Sequence, residues 1–182
     1  MTLLTLGVLL WVFAHTFKRI LPGPRAALGE ERGKGVVALL SLAAIVLMVI
    51  GYRMVDATPL WSRHPATVGI NNLLNLLAVY LFAASGMKTW ITSKIRHPQL
   101  TATKAWAIAH LLVNGDVPSF ILFGGLLAWA VVAVILINRQ TDDVRPTGPF
   151  ETRKEIIALV ASLVVFGLIA GVHYLLGYPA FG

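Results

Sequence analysis

The sequence predicts an all-α, polytopic membrane protein, a single bundle of about six transmembrane helices with both termini on the periplasmic side. Three observations carry that reading. Of 182 residues, 57% are hydrophobic and only 13% are charged, against about 25% charged in an ordinary soluble domain. The mean hydropathy is +0.78. The apolar residues also fall in runs of spanning length, since a hydrocarbon core of ~30 Å needs about 20 helical residues. Helices are the form in which such runs satisfy their own backbone polar groups. Cysteine is absent, which excludes disulfides, thiolate-bound metals and cysteine nucleophiles. The pI near 10.2 would suit a nucleic-acid binder. The Lys and Arg lie instead in short loops between apolar runs, a membrane-topology pattern, and nucleic acid is not an expected partner.

The elements follow in order along one domain, residues 1–182. The first apolar run, residues 2–20, ends at Lys18-Arg19. A cleavable signal would carry its charges before the apolar stretch, so this run is expected to stay as the first helix. A polar loop from Arg25 to Lys34 leads to the second helix, residues 35–54. The third, residues 67–87, follows a loop with Pro59, Trp61, Arg63, His64 and Pro65. Trp61 suits the membrane interface, and His64 reads as a solvated loop residue. A basic surface stretch, Lys88 to Gln99, comes next. The apolar residues from Thr101 to Ile137 are too many for one helix and contain Asn114-Gly115-Asp116-Val117-Pro118. Asn114 or Gly115 is expected to take a left-handed cap. Asp116 is expected to cap the next helix, with Pro118 in its first turn. The fourth helix is then residues 101–113 and the fifth 117–137. The sixth spans residues 155–176.

Charge placement tests the count. Thirteen of the fifteen Lys and Arg follow helices one, three and five: Lys18, Arg19, Arg25, Arg32 and Lys34; Lys88, Lys94, Arg96 and Lys104; Arg139, Arg145, Arg153 and Lys154. Only Arg53 and Arg63 fall on the other side. The positive-inside rule then puts the three basic loops in the cytoplasm. Merging helices four and five would send the last basic loop to the wrong side.

The informative residues are polar ones within apolar runs, which usually face a bundle interior or a cofactor. His15 lies ~8 Å from the cytoplasmic end of helix one and His110 ~14 Å into helix four, at ~1.5 Å per residue. Two imidazoles from different helices at similar depth suit a b-type haem, held non-covalently because no cysteine exists to attach it. The alternative is that each ring donates to a backbone carbonyl and ties helices together. Asn71 and Asn75 share a helix face, which suits interhelical hydrogen bonds or a polar lining for a small ligand. Gly167 and Gly171 form a small-xxx-small pair expected to pack inside the bundle.

The run Lys94-Ile95-Arg96-His97-Pro98-Gln99-Leu100, followed by Trp106 and Ala109-His110-Leu111-Leu112-Val113-Asn114-Gly115-Asp116, resembles the signature of the NnrU family. Phe123-Gly124-Gly125 and Ala14-His15 fit it too, and the resemblance covers most of the chain. It implies a multi-pass protein of the bacterial inner (cytoplasmic) membrane associated with nitrite and nitric oxide reduction in denitrification. Components of the nitrite or nitric oxide reductases would be its partners beside the lipid bilayer. The family is similar to the plant 15-cis-zeta-carotene isomerase, a haem b protein. The resemblance therefore implies haem b at His15 and His110, with His97 as a nearby candidate ligand. It also brings in polyene cis-trans isomerisation as an alternative activity. The plant enzyme has a cysteine three residues before the matching histidine, where this sequence has Ala107, so a histidine-to-cysteine ligand switch is chemically excluded. Arg96-His97-Pro98 also resembles a motif of membrane S-adenosylmethionine-dependent methyltransferases, but Gln99, Leu100, Thr101 and Ala102 break the pattern that should follow. Whether the chain is an enzyme stays open at this level.

Overall fold

The computed structural model describes residues 1–181 and is helical throughout, with no strand among them beyond one isolated bridge. The helices are α1 (Thr2–Ile20), α2 (Pro22–Ala27), α3 (Glu30–Arg53), α4 (Pro65–Met87), α5 (Ile91–Lys94), α6 (Pro98–Val113), α7 (Val117–Ser119), α8 (Gly125–Gln140) and α9 (Thr152–Leu175). A π-helical turn, Phe120–Gly124, joins α7 to α8. Val117–Gln140 thus runs on as one rod.

Several helices begin earlier than the apolar runs suggest, because polar caps and first turns are helical but not hydrophobic. The expected loop from Arg25 to Lys34 is instead α2, a turn at Gly29 (φ 72°) and the head of α3. Glu30 and Glu31 stand in that first turn, paired with Lys34 at 3.1 and 3.0 Å, where a helix favours negative charge. His64 is not merely solvated. Its Nδ1 accepts from the Ala66 amide at 3.2 Å, and its own amide donates to Thr67 Oγ1 at 3.3 Å, a reciprocal cap on α4.

Among the described residues, five helices are long and apolar enough to cross a membrane: α1, α3, α4, α9 and the rod Val117–Gln140. The sixth expected span, α6, has 16 residues, or ~24 Å at 1.5 Å per residue, short of a flat ~30 Å crossing. Its short length follows from sequence, since Pro98 opens it and the Asn114–Asp116 break closes it.

Packing inverts the soluble pattern. The buried side chains are largely alanine (Ala44, Ala78, Ala102, Ala107, Ala130, Ala158), while Leu39, Leu42, Leu73, Leu163 and Leu168 lie exposed on the outside of the bundle. Lipid tails are as apolar as leucine, so helices associate where small residues let backbones approach. α1 and α3 pair antiparallel on Gly7 and Gly51, which lie directly against Ala44 and Met48, and against Leu3 and Leu4. α4 packs on α6 through Ala78, Leu81 and Ala102, and α9 packs on α4. α8 binds the two groups together, touching both α6 and α1. Gly167 and Gly171 on α9 depart from expectation, because nothing lies within 4 Å of the space a Cβ would occupy at either.

Contacts divide the chain between two poles. At one, the Leu60 amide donates to the Gly115 carbonyl at 2.6 Å, Trp61 bridges to Gly115, and Arg63 donates to the Pro179 carbonyl at 3.1 Å. At the other, Arg96 donates to the Thr141 carbonyl at 2.6 Å, Arg145 to that of Lys94 at 3.1 Å, and the Trp90 amide to Glu155 at 2.6 Å. The expected basic loops meet at this second pole. Lys104 is the exception in kind, since it lies inside α6 rather than in a loop.

Candidate functional site

The polar residues singled out from the sequence are set by helix geometry. In an α-helix the carbonyl at i−4 lies within reach of a ring nitrogen at i, and three histidines use it. His15 Nδ1 meets the Trp11 carbonyl at 3.0 Å, His110 Nδ1 that of Trp106 at 2.9 Å, and His173 Nδ1 that of Ile169 at 2.8 Å. A carbonyl only accepts, so each Nδ1 carries the proton and each neutral ring presents a free lone pair on Nε2. That is the posture of a metal-ligating histidine, whose other nitrogen is normally tied to an acceptor. The bonds lie within one helix, so they do not tie helices together.

His15 and His110 are not brought face to face. His15 stacks on Trp11 (3.9 Å between centroids) and meets Trp129 edge-on at 5.1 Å. His110 stacks on Phe123 at 4.6 Å and tilts against Trp106 at 5.0 Å. Trp129 and Phe123 belong to one rod, separated by ~9 Å along it at 1.5 Å per residue. Similar depth counted from helix ends therefore does not become a facing pair. The intervening region is packed: Trp11 and Trp106 both lie against the cluster Leu4, Val8, Ala44, Met48 and Leu126.

The surroundings of the two rings differ. His15 is exposed on the flank of α1, and the indole N–H groups of its neighbours Trp11 and Trp129 are buried with no acceptor. A buried, unpaired donor costs about 1–3 kcal/mol, and two of them frame one open histidine. His110 is part-buried between aromatic rings. Its partner Phe123 lies in the π-helical turn and also touches Tyr52 and Trp106, and such turns recur at functional positions. The hydrophobic pattern gives no sign of this turn, and the five aromatic residues read as ordinary membrane side chains.

His97 sits apart, at the basic pole. Its Nε2 donates to Asn138 Oδ1 at 2.7 Å, which ties the start of α6 to α8. Asn75 donates to Asn71 at 2.9 Å and Asn71 to Asn72 at 3.1 Å, so this polar face satisfies itself along α4 rather than across helices. Asp116 caps as expected, its Oδ1 accepting from the Ser119 amide at 2.7 Å. Neither Asn114 nor Gly115 is left-handed: Asn114 closes α6 at φ −119°, ψ 87°. Glycine is required at 115 because the Trp61 indole lies where a Cβ would be. Among the described residues no three His, Asp or Glu side chains form a metal cluster.

No curated protein and no solved structure shows significant similarity to the chain. A family model does, and it spans residues 3–180, nearly the whole sequence, including both histidine helices and the Asn114–Asp116 break. The chain therefore belongs to the NnrU protein family.

Proposed function

We propose that this chain is a multi-pass protein of the bacterial inner membrane that serves nitrite and nitric oxide reduction, and that it holds haem b non-covalently at His15. In this reading α6 is the sixth crossing, with both termini periplasmic and the basic pole in the cytoplasm. Local bilayer thinning accommodates its short length.

The observation that carries the haem reading is the setting of His15: a free Nε2 beside two buried indole N–H groups without acceptors. The residues fit the group one histidine at a time. His15 would hold the iron, and Lys18 and Arg19, on the same helix face one turn on, would hold the propionates. When bound, the group supplies one-electron chemistry and a position for a small diatomic ligand. The chain's own residues prepare it. The Trp11 carbonyl fixes the tautomer of His15 and strengthens Nε2 as a donor. The Trp11 ring sets the imidazole plane, and Trp129 closes its inner edge. His110, with the same free Nε2, is the second candidate ligand.

Protein purified from haem-replete cells should show a Soret band that shifts on reduction with dithionite. His15→Ala should abolish it, whereas His64→Ala and His97→Ala should leave it intact. Loss of the band only in His110→Ala would move the iron to α6. No band after haem reconstitution would end the proposal. Membranes lacking the protein should consume nitric oxide more slowly, and His15→Ala should fail to restore the rate.

A further inference from the structure

A cavity of about 440 Å³ opens at the basic pole, away from both candidate haem histidines. Its floor reaches Ser85 of α4 and Ile137 of α8, both within the last turn of those helices. One wall carries Lys88, Arg96 and His97, and the facing loop carries Asp142, Asp143 and Arg145. α4 and α8 both pack on α6, so α6 backs the recess between them. Trp90, 52% exposed with the Lys94 ammonium 5.5 Å over its ring, marks the interfacial level beside it.

The charges are the informative part. Asp143 and Arg145 neutralise one another at 3.0 Å. Among the described residues Lys88 and Arg96 have no carboxylate partner, and Asp142 has no cation partner. Arg96 is held in place because one of its N–H groups already donates to the Thr141 carbonyl. Lys88 closes α4 with a left-handed backbone at φ 55°, which sets where its exposed side chain starts. His97 Nε2 is taken by Asn138. What remains is two cations on the helix wall, Arg96 fixed and Lys88 free to reach, and one free carboxylate on the loop wall, over a floor of Ser85 and Ile137.

We infer that this cavity receives the headgroup of a phospholipid bearing a primary amine beside its phosphate. Lys88 and Arg96 take the phosphodiester, Arg96 through its planar fork, and Asp142 takes the ammonium. An anionic headgroup without an amine meets the Asp142 carboxylate unpaired. A trimethylated amine has no N–H to donate to it. Free phosphate has the chemistry for the helix wall alone.

The test is native mass spectrometry of the delipidated full-length protein with an equimolar mixture of phosphatidylethanolamine, phosphatidylglycerol and phosphatidylcholine. The ethanolamine lipid should be retained about five-fold over the others, the order of magnitude of a half-exposed ion pair. Lys88→Asn keeps a residue that tolerates the left-handed cap and should weaken retention about five-fold, as should Arg96→Gln. Asp142→Asn should abolish the preference and raise phosphatidylglycerol binding. Arg32→Gln, a basic residue of the same pole outside the cavity, should change nothing. Equal retention of all three lipids, unaltered selectivity in Asp142→Asn, or complete displacement of lipid by millimolar inorganic phosphate would each overturn the inference.

Discussion

Gly51→Ala probes the association of α1 with α3. Gly51 is buried, and a Cβ built on it would lie 2.8 Å from Leu4 Cα and 2.9 Å from the Leu3 carbonyl carbon, with the Leu4 amide nitrogen nearer still. Real Cβ atoms essentially never approach so closely, and the obstruction is backbone, not the end of a flexible side chain. The helices must therefore separate by several tenths of an ångström along a contact that also seats Gly7 against Met48. Overpacking of this kind costs about 1–3 kcal/mol, or about 2–12 °C in Tm for a chain of this size. Intrinsic tryptophan fluorescence during thermal unfolding in detergent reads it, with Gly167→Ala as the reference. Nothing lies within 4 Å of that site, and alanine there is the better helix former, so its Tm should hold or rise. A Gly51→Ala protein that melts with or above the unsubstituted chain would refute the account of this interface, as would an equal loss in Gly167→Ala.

The same assay checks three further expectations. Gly115→Val should lower Tm by about 2–12 °C through collision with the Trp61 indole, and Trp61→Ala should recover part of the loss; no recovery would show that another contact is responsible. Asp116→Ala removes the cap accepting from the Ser119 amide and should cost about 1 kcal/mol, with Asp116→Asn close to neutral. Tyr52→Phe breaks the 2.8 Å bond between the Tyr52 and Ser119 hydroxyls and should cost about 1 kcal/mol. Its double mutant with Ser119→Ala should cost no more than the sum of the two single changes.

Much of the helical layout was legible because its signals are local. Lys18-Arg19 after an apolar run, Pro65 and Pro98 at helix starts, and Asp116 before Pro118 each act within a turn, and each marks an observed boundary. What depended on a partner helix was not legible. Gly167 and Gly171 carry a packing pattern yet face open space, while Gly7 and Gly51, too far apart to form any motif, bring the backbones of α1 and α3 together. The depth of His15 and His110 was countable, but their bearing around the helix axis was not. The lateral position of the rod Val117–Gln140, with a π turn in its first half, decides which aromatic ring each histidine meets.

The two poles are built for different work. The pole of the Asn114–Asp116 turn is stitched together by local bonds: Leu60 and Trp61 bind Gly115, Arg63 reaches the Pro179 carbonyl, and the Tyr52–Ser119 bond ties α3 to α7. These bonds join loops to the helix break, and Arg53, Asp56, Ser62 and His64 stay exposed around them. The basic pole is held by longer side chains reaching across from the helix ends and loops, with Arg19 on Gln140, Arg96 on Thr141 and Arg145 on Lys94, and it leaves the 440 Å³ cavity open between them. An exposed His15 lies on the same half of α1, one turn from Lys18 and Arg19. A polar or charged ligand approaching the basic end therefore meets Arg96, held by the Thr141 carbonyl, at the mouth of an open cavity.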